Sequence, residues 1–124
     1  MWVRHLRDCP VLQAGDGTAL RELLHPHRPE AGEIPVGFSL AHARLAPGGC
    51  SRPHRLLQSS EVYYILEGRG IMHVENQQYN VEPGHAVYIP PGALQWIENI
   101  GSGDLGFLAL VDPPWRQEDE KIPG

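Results

Sequence analysis

Gly48-Gly49-Cys50-Ser51-Arg52-Pro53-His54-Arg55-Leu56, carried on to Glu61-Val62-Tyr63-Tyr64-Ile65-Leu66-Glu67-Gly68, is the stretch on which the fold turns. Its skeleton is Gly48-x5-His54-x-Leu56-x4-Glu61-x6-Gly68. After residues 69–83 comes a second skeleton, Gly84-x5-Pro90-x-Gly92-x2-Gln95-x3-Asn99. Pro47-Gly48-Gly49 and Pro83-Gly84 each preset one turn residue and free the next for positive φ, so both skeletons begin at a tight reversal. Working outward, twelve Pro and fourteen Gly divide the chain into short apolar runs, the pattern of an all-β sandwich or barrel. Strands are expected near Ala19–Leu24, Val36–Ala46, Ser51–Leu56, Glu61–Glu67, Ile71–Glu75, Gln78–Glu82, Ala86–Pro90, Leu94–Asn99 and Leu105–Val111. No segment keeps a helical period; residues 18–23 come nearest, and Pro26 and Pro29 prevent a long helix there. Segments 25–35 and 112–124 have the composition of loops or mobile tails.

Several expected strands are apolar on both faces. Glu61, Tyr63 and Ile65 share one side of a strand, and Val62, Tyr64 and Leu66 share the other. A sheet with one wet face alternates more cleanly. Either a second sheet or a second copy of the chain covers the outer side.

At 124 residues the chain fits one domain. A formal charge of −5 argues against a nucleic-acid surface, which needs a clustered basic face. Glu118-Asp119-Glu120 reads as a solvated acidic tail. No run approaches the ~18 apolar residues of a membrane span, and Met1–Asp8 has no apolar stretch of the signal-peptide kind. The two cysteines, Cys9 and Cys50, form no C-x-x-C pair and are expected as reduced thiols of a cytoplasmic protein. Walker, G-x-S-x-G, H-E-x-x-H and dinucleotide signatures are absent.

The two skeletons resemble the motifs of the cupin superfamily, G-x5-H-x-H-x3,4-E-x6-G and G-x5-P-x-G-x2-H-x3-N. Each fixed Gly, Pro, Glu and Asn falls in place, as does the first His. Leu56 stands for the second His, and Gln95 for the His of the second motif. Leu66-Glu67-Gly68-Arg69-Gly70 and Tyr88-Ile89-Pro90-Pro91-Gly92 are also wording similar to that family's, and the match spans roughly residues 47–111. The resemblance implies a small single-domain cupin over residues 1–124. Its core, 36–111, would be a double-stranded β-helix, a jelly-roll-like barrel of two antiparallel sheets. Residues 1–35 would add a strand and loop, and 112–124 a tail. It further implies a homodimer, a small-molecule partner, and a divalent metal ion held inside the barrel, of which His54, Glu61 and Gln95 are the ligands that transfer.

One imidazole, one carboxylate and one amide oxygen are a thin, hard donor set, suited to manganese, magnesium or calcium and weak without water. Tyr63 shares the face of Glu61; His42 and His73 sit on flanking strands, where a structural or solvent role is expected of each and replacement of a lost ligand is the alternative. His85, in a turn, is expected at the surface. The alternative for His54, Glu61 and Gln95 is a hydrogen-bonded network with no metal, flooring a pocket walled by Leu56, Tyr63, Ile65 and Ile97. Two functions follow: metal-assisted chemistry on a small oxygenated metabolite, with Tyr63 or an unligated His moving protons, or non-catalytic binding of a sugar or carboxylate. Trp96 is expected to point away from the pocket, and Trp115 to pin the tail to the barrel.

Overall fold

The computed structural model describes residues 1–13 and 18–123; residues 14–17 and Gly124, parts of the expected N-terminal segment and tail, lie outside the described residues. The strands are β1 (Leu12–Gln13), β2 (Thr18–Leu24), β3 (Ser39–Leu45), β4 (Arg55–Leu56), β5 (Ser60–Glu67), β6 (Gly70–Val74), β7 (Gln77–Val81), β8 (Ala86–Ile89), β9 (Gln95–Asn99), β10 (Leu105–Asp112) and β11 (Glu120–Lys121). Helix is confined, among the described residues, to three short 3-10 turns. One sheet runs β1-β2-β3-β10-β5-β8, a second β7-β6-β9, and β11 pairs with β4. Every pairing of these strands is antiparallel. The expected all-β jelly-roll barrel is the fold observed.

Alternation along the large sheet builds the interior in rows. Leu45–Leu105 leads to Ala43–Phe107–Ile65, then Ala41–Ala109–Tyr63, then Ser39–Val111–Glu61–Ile89. The first rows close one end: Leu45, Ile65, Met72, Ile97 and Leu105 are fully buried there, each such side chain contributing roughly 1.5–3 kcal/mol. The later rows carry alanines and polar groups, and this end stays hollow. Gly68 turns the chain between β5 and β6 at φ 83°, where a Cβ would run into the Asp104 carbonyl, so the turn requires glycine.

The expected strand Ser51–Leu56 shrinks to Arg55–Leu56 plus a bridge at His54, because Pro53 has no N–H to give a ladder. The acidic run is not wholly solvated: Glu118 is exposed, but Asp119 is buried. Asp119 is 3 % exposed and accepts the backbone N–H of Gln58 at 2.8 Å and of Ser59 at 3.1 Å, while β11 pairs with β4. A buried carboxylate filling two backbone donors is held in place, so the run is a strap across the barrel.

Candidate functional site: a polar cavity in the barrel

Glu61 enters from the start of β5 and is 7 % exposed. Gln95, wholly buried on β9, donates Nε2–H to Glu61 Oε1 at 2.8 Å. His54 faces Gln95 through paired backbone bonds, His54 N to Gln95 O at 3.0 Å and Gln95 N to His54 O at 2.9 Å. The three expected residues therefore sit together. The His54 ring bonds through Nδ1 to the Arg52 carbonyl at 2.8 Å. A carbonyl only accepts, so Nδ1 carries the proton, and in its neutral form the ring has its lone pair on Nε2.

Burial pushes the Glu61 carboxyl up to about 7, against the Gln95 hydrogen bond and the charge of His54, with Glu120 adding a smaller upward push. Tyr63, buried with its ring centroid 4.5 Å from that of Phe107, has its acidity weakened further by burial and then by Glu61 and Glu120. It remains a neutral phenol.

Do these groups fit a resident divalent ion? Gln95 turns its N–H, not its oxygen, toward Glu61, and its own Oε1 is buried without a hydrogen-bond partner. Reversing the amide would set two oxygens against each other and strand the NH2 instead. Among the described residues no three His, Cys, Asp or Glu side chains cluster as a metal site. The donor set does not fit a tightly held ion. His42 and His73 do not repair it. His42 lies on the outer face of β3, opposite the inward Ala41 and Ala43, and burial and Arg44 lower its basicity. His73 stacks on Trp96 at 4.3 Å and bonds Glu98 at 2.7 Å, both on the outer side of β9. Trp96 thus points away from the cavity. His85 accepts from the Glu82 N–H in its own turn.

The hollow end is a cavity of about 350 Å³. His54, Glu61, Leu56 and Tyr63 line it on one side, and Ala41, Ala43, Phe107, Ala109 and Val111 form its apolar walls. Ile65 and Ile97 do not line it. Both are 0 % exposed within the closed end, because the inward face of a strand that begins at the cavity continues into the core. Among the lining residues that escaped the sequence reading are Glu22, Arg28, Trp115 and Glu120. Trp115 does pin the tail, donating its backbone N–H to Ser39 Oγ at 2.9 Å, while its carbonyl meets His25 Nε2 at 2.7 Å. That it also walls the cavity had no local signal beyond the apolar ring in a polar tail.

A barrel of this topology with a polar interior at one end defines a class, and the relatives agree. The family model for the cupin domain matches residues 41–111, more than half of the chain. The chain belongs to the cupin superfamily. It is 42% identical over 107 residues to an uncharacterized protein of Methanocaldococcus jannaschii, covering 86% of this chain and 82% of that one. It is 34% identical over 71 residues to an oxalate-binding protein of Thermotoga maritima, covering 57% and 59%. Among solved structures, a Streptomyces nucleoside dehydratase superposes with a TM-score of 0.79 at 14% identity, covering 99% of this chain and 91% of that one. A predicted oxalate decarboxylase of Thermotoga maritima gives 0.79 at 23% identity, covering 90% and 99%. These structural likenesses concern the fold.

Proposed function

We propose that this cupin binds a small oxygenated molecule in its barrel and exchanges protons with it through Glu61 and His54, without a resident metal. The observation that carries the reading is the arrangement of the pair: a buried carboxyl oriented by Gln95, beside an imidazole whose tautomer Arg52 fixes with Nε2 as acceptor. The carboxyl held near 7 is poised to give a proton at neutral pH, while the tautomer set by Arg52 leaves Nε2 as the acceptor of the pair. One proton given to a carbonyl oxygen and one removed from the adjacent carbon amount to isomerisation, with no oxidant or cofactor. Tyr63, kept neutral, donates a hydrogen bond to the ligand.

The reading also takes in a second copy of the chain on the outer face of the large sheet. Its location is the cytoplasm, on the sequence argument of reduced thiols. No helix among the described residues is long and apolar enough to cross a membrane.

The test joins metal analysis to unfolding. Purified protein is expected to contain substoichiometric metal, and its thermal unfolding to be the same with and without a chelator. Stoichiometric metal, together with a chelator-induced fall in Tm that vanishes in Glu61→Gln, would return the site to metal-assisted chemistry. Carbon NMR of the Glu61 carboxyl is expected to show titration near 7.

A further inference from the structure

The cavity has a second polar pole, which the proton pair does not use. Glu22 on β2 pairs with Ala41, which pairs with Ala109, which pairs with Tyr63. This row crosses four adjacent strands, so the Glu22 and Tyr63 backbones stand ~14 Å apart at the usual strand spacing. Between them the cavity floor consists of alanine methyl groups, leaving the length of the row open.

Arg28 Nη1 lies 3.3 Å from Glu22 Oε1, outside hydrogen-bond geometry, and the guanidinium carbon sits 5.0 Å above the Trp115 ring. Trp115 is fixed on three sides: by Ser39 Oγ, by His25, and by its indole Nε1–H reaching Glu120 Oε1 at 3.4 Å. The pole is therefore built before any ligand arrives. Glu22 Oε1 is buried against Arg28 with no hydrogen bond, so the carboxylate is left short of donors, and Glu22 lines the cavity. Arg28, meeting Glu22 through one nitrogen, keeps further N–H donors. Acceptor and donor stand side by side.

Charge decides what fits. A carboxylate ligand gains Arg28 but meets Glu22, with Glu61 and Glu120 lining the same space. An ammonium ligand gains the carboxylates but meets Arg28. A neutral group that donates and accepts at adjacent atoms satisfies both without burying an unpaired charge. We propose that Glu22, Arg28 and Trp115 form a recognition site for the vicinal diol of a neutral, polyhydroxylated small molecule. One hydroxyl donates to the Glu22 carboxylate, its neighbour accepts from Arg28, and the carbon face lies along Trp115 and the alanine floor. The ring or chain beyond the diol then reaches toward Glu61, so the inference rests on the proposed use of this cavity and names its ligand class.

The experiment titrates the full chain by calorimetry with methyl β-D-ribofuranoside, with its 2-deoxy counterpart, and with oxalate. Wild type is expected to bind the ribofuranoside about tenfold or more tightly than either, the worth of roughly one good hydrogen bond. Glu22→Ala and Arg28→Met are each expected to erase that preference; should the first fail to fold, the second decides. A 2-deoxy probe bound as well as the diol, oxalate bound more tightly, or a preference that survives in a folded Arg28→Met chain would overturn the proposal. Glu61→Gln is expected to retain the diol preference. A wild type whose Glu61 does not titrate near 7 but which selects the diol sinks the proton-pair reading alone. The converse result sinks this one alone.

Discussion

Glu61 is the residue at which stability and chemistry meet. Above 4.5 an unfolded chain loses this proton, whereas the folded chain keeps it until about 7. Between those values the native state binds more protons, so stability falls as pH rises through the window and levels off above it. The rise from 4.5 to about 7 corresponds to roughly 3 kcal/mol lost by neutral-to-alkaline pH. Glu61→Gln is expected to remove that slope and to match or exceed wild type above pH 7. Thermal unfolding of both proteins from pH 5 to 8 measures the difference, and parallel profiles would mean that the carboxyl is not perturbed. The positions of His54, Glu61 and Gln95 were legible in the sequence, because strand alternation and motif spacing are local. Their chemistry was not, since which amide atom faces the carboxylate depends on the surrounding packing. The Glu22–Arg28–Trp115 pole was illegible for another reason: His25 and Trp115 meet across 90 residues, and no local pattern encodes such a contact. A second residue-scale experiment asks whether the missing imidazoles alone account for the misfit to metal. Leu56 lines the cavity and Gln95 touches Glu61, so Leu56→His with Gln95→His adds two imidazole donors around the carboxylate. Zinc affinity of this double variant is expected to rise by orders of magnitude; a folded variant with no gain in a metal titration would show that the positions do not converge.

Among the elements, the C-terminal strap differs most from its sequence reading. The nine expected strand segments each hold a strand, because their β-rich runs are long enough to show a boundary at both ends. The two-residue strands β1 and β11 have no period to read and exist through pairing alone. Asp119 does for β11 what a hydrophobic run does for longer strands. Its carboxylate satisfies the N–H groups of Gln58 and Ser59 where the chain enters β5, and Arg116 stands 3.9 Å away. Asp119→Ala leaves the buried Ser59 N–H unpaired and takes the partner from Gln58, with a cost of roughly 1–3 kcal/mol in chemical denaturation. The strap also carries Glu120 and Ile122 to the cavity wall. Limited proteolysis of Asp119→Ala is therefore expected to cut within residues 113–123 well before the barrel, while wild type resists there. Simultaneous loss of strap and barrel would show that the strap is not a separable closure.

At the scale of the molecule, the unexplained surface is the outside of the six-stranded sheet. Leu40, Leu110, Val62 and Tyr88 form one transverse row, and His42, Leu108, Tyr64 and Ala86 the next. Tyr64 is 45 % and Tyr88 63 % exposed, with Leu66 at 43 % beside them. Apolar side chains contiguous over four strands are more than the scattered exposure of an ordinary monomer surface. A two-fold pairing needs a patch complementary to itself, and this one has an apolar centre with Arg44 and Glu67 together at its edge, able to meet Glu67 and Arg44 of a second copy. Light scattering is expected to give about twice the 13.8 kDa of one chain. Tyr64→Glu with Tyr88→Glu places like charges at the centre and should yield a monomer with an unchanged β-sheet circular dichroism spectrum. Because the rows point away from the cavity, the same variant should keep the titration of Glu61 near 7. A wild-type monomer would remove the second copy and leave the barrel untouched. A dimer that survives both charges would move the interface to another face.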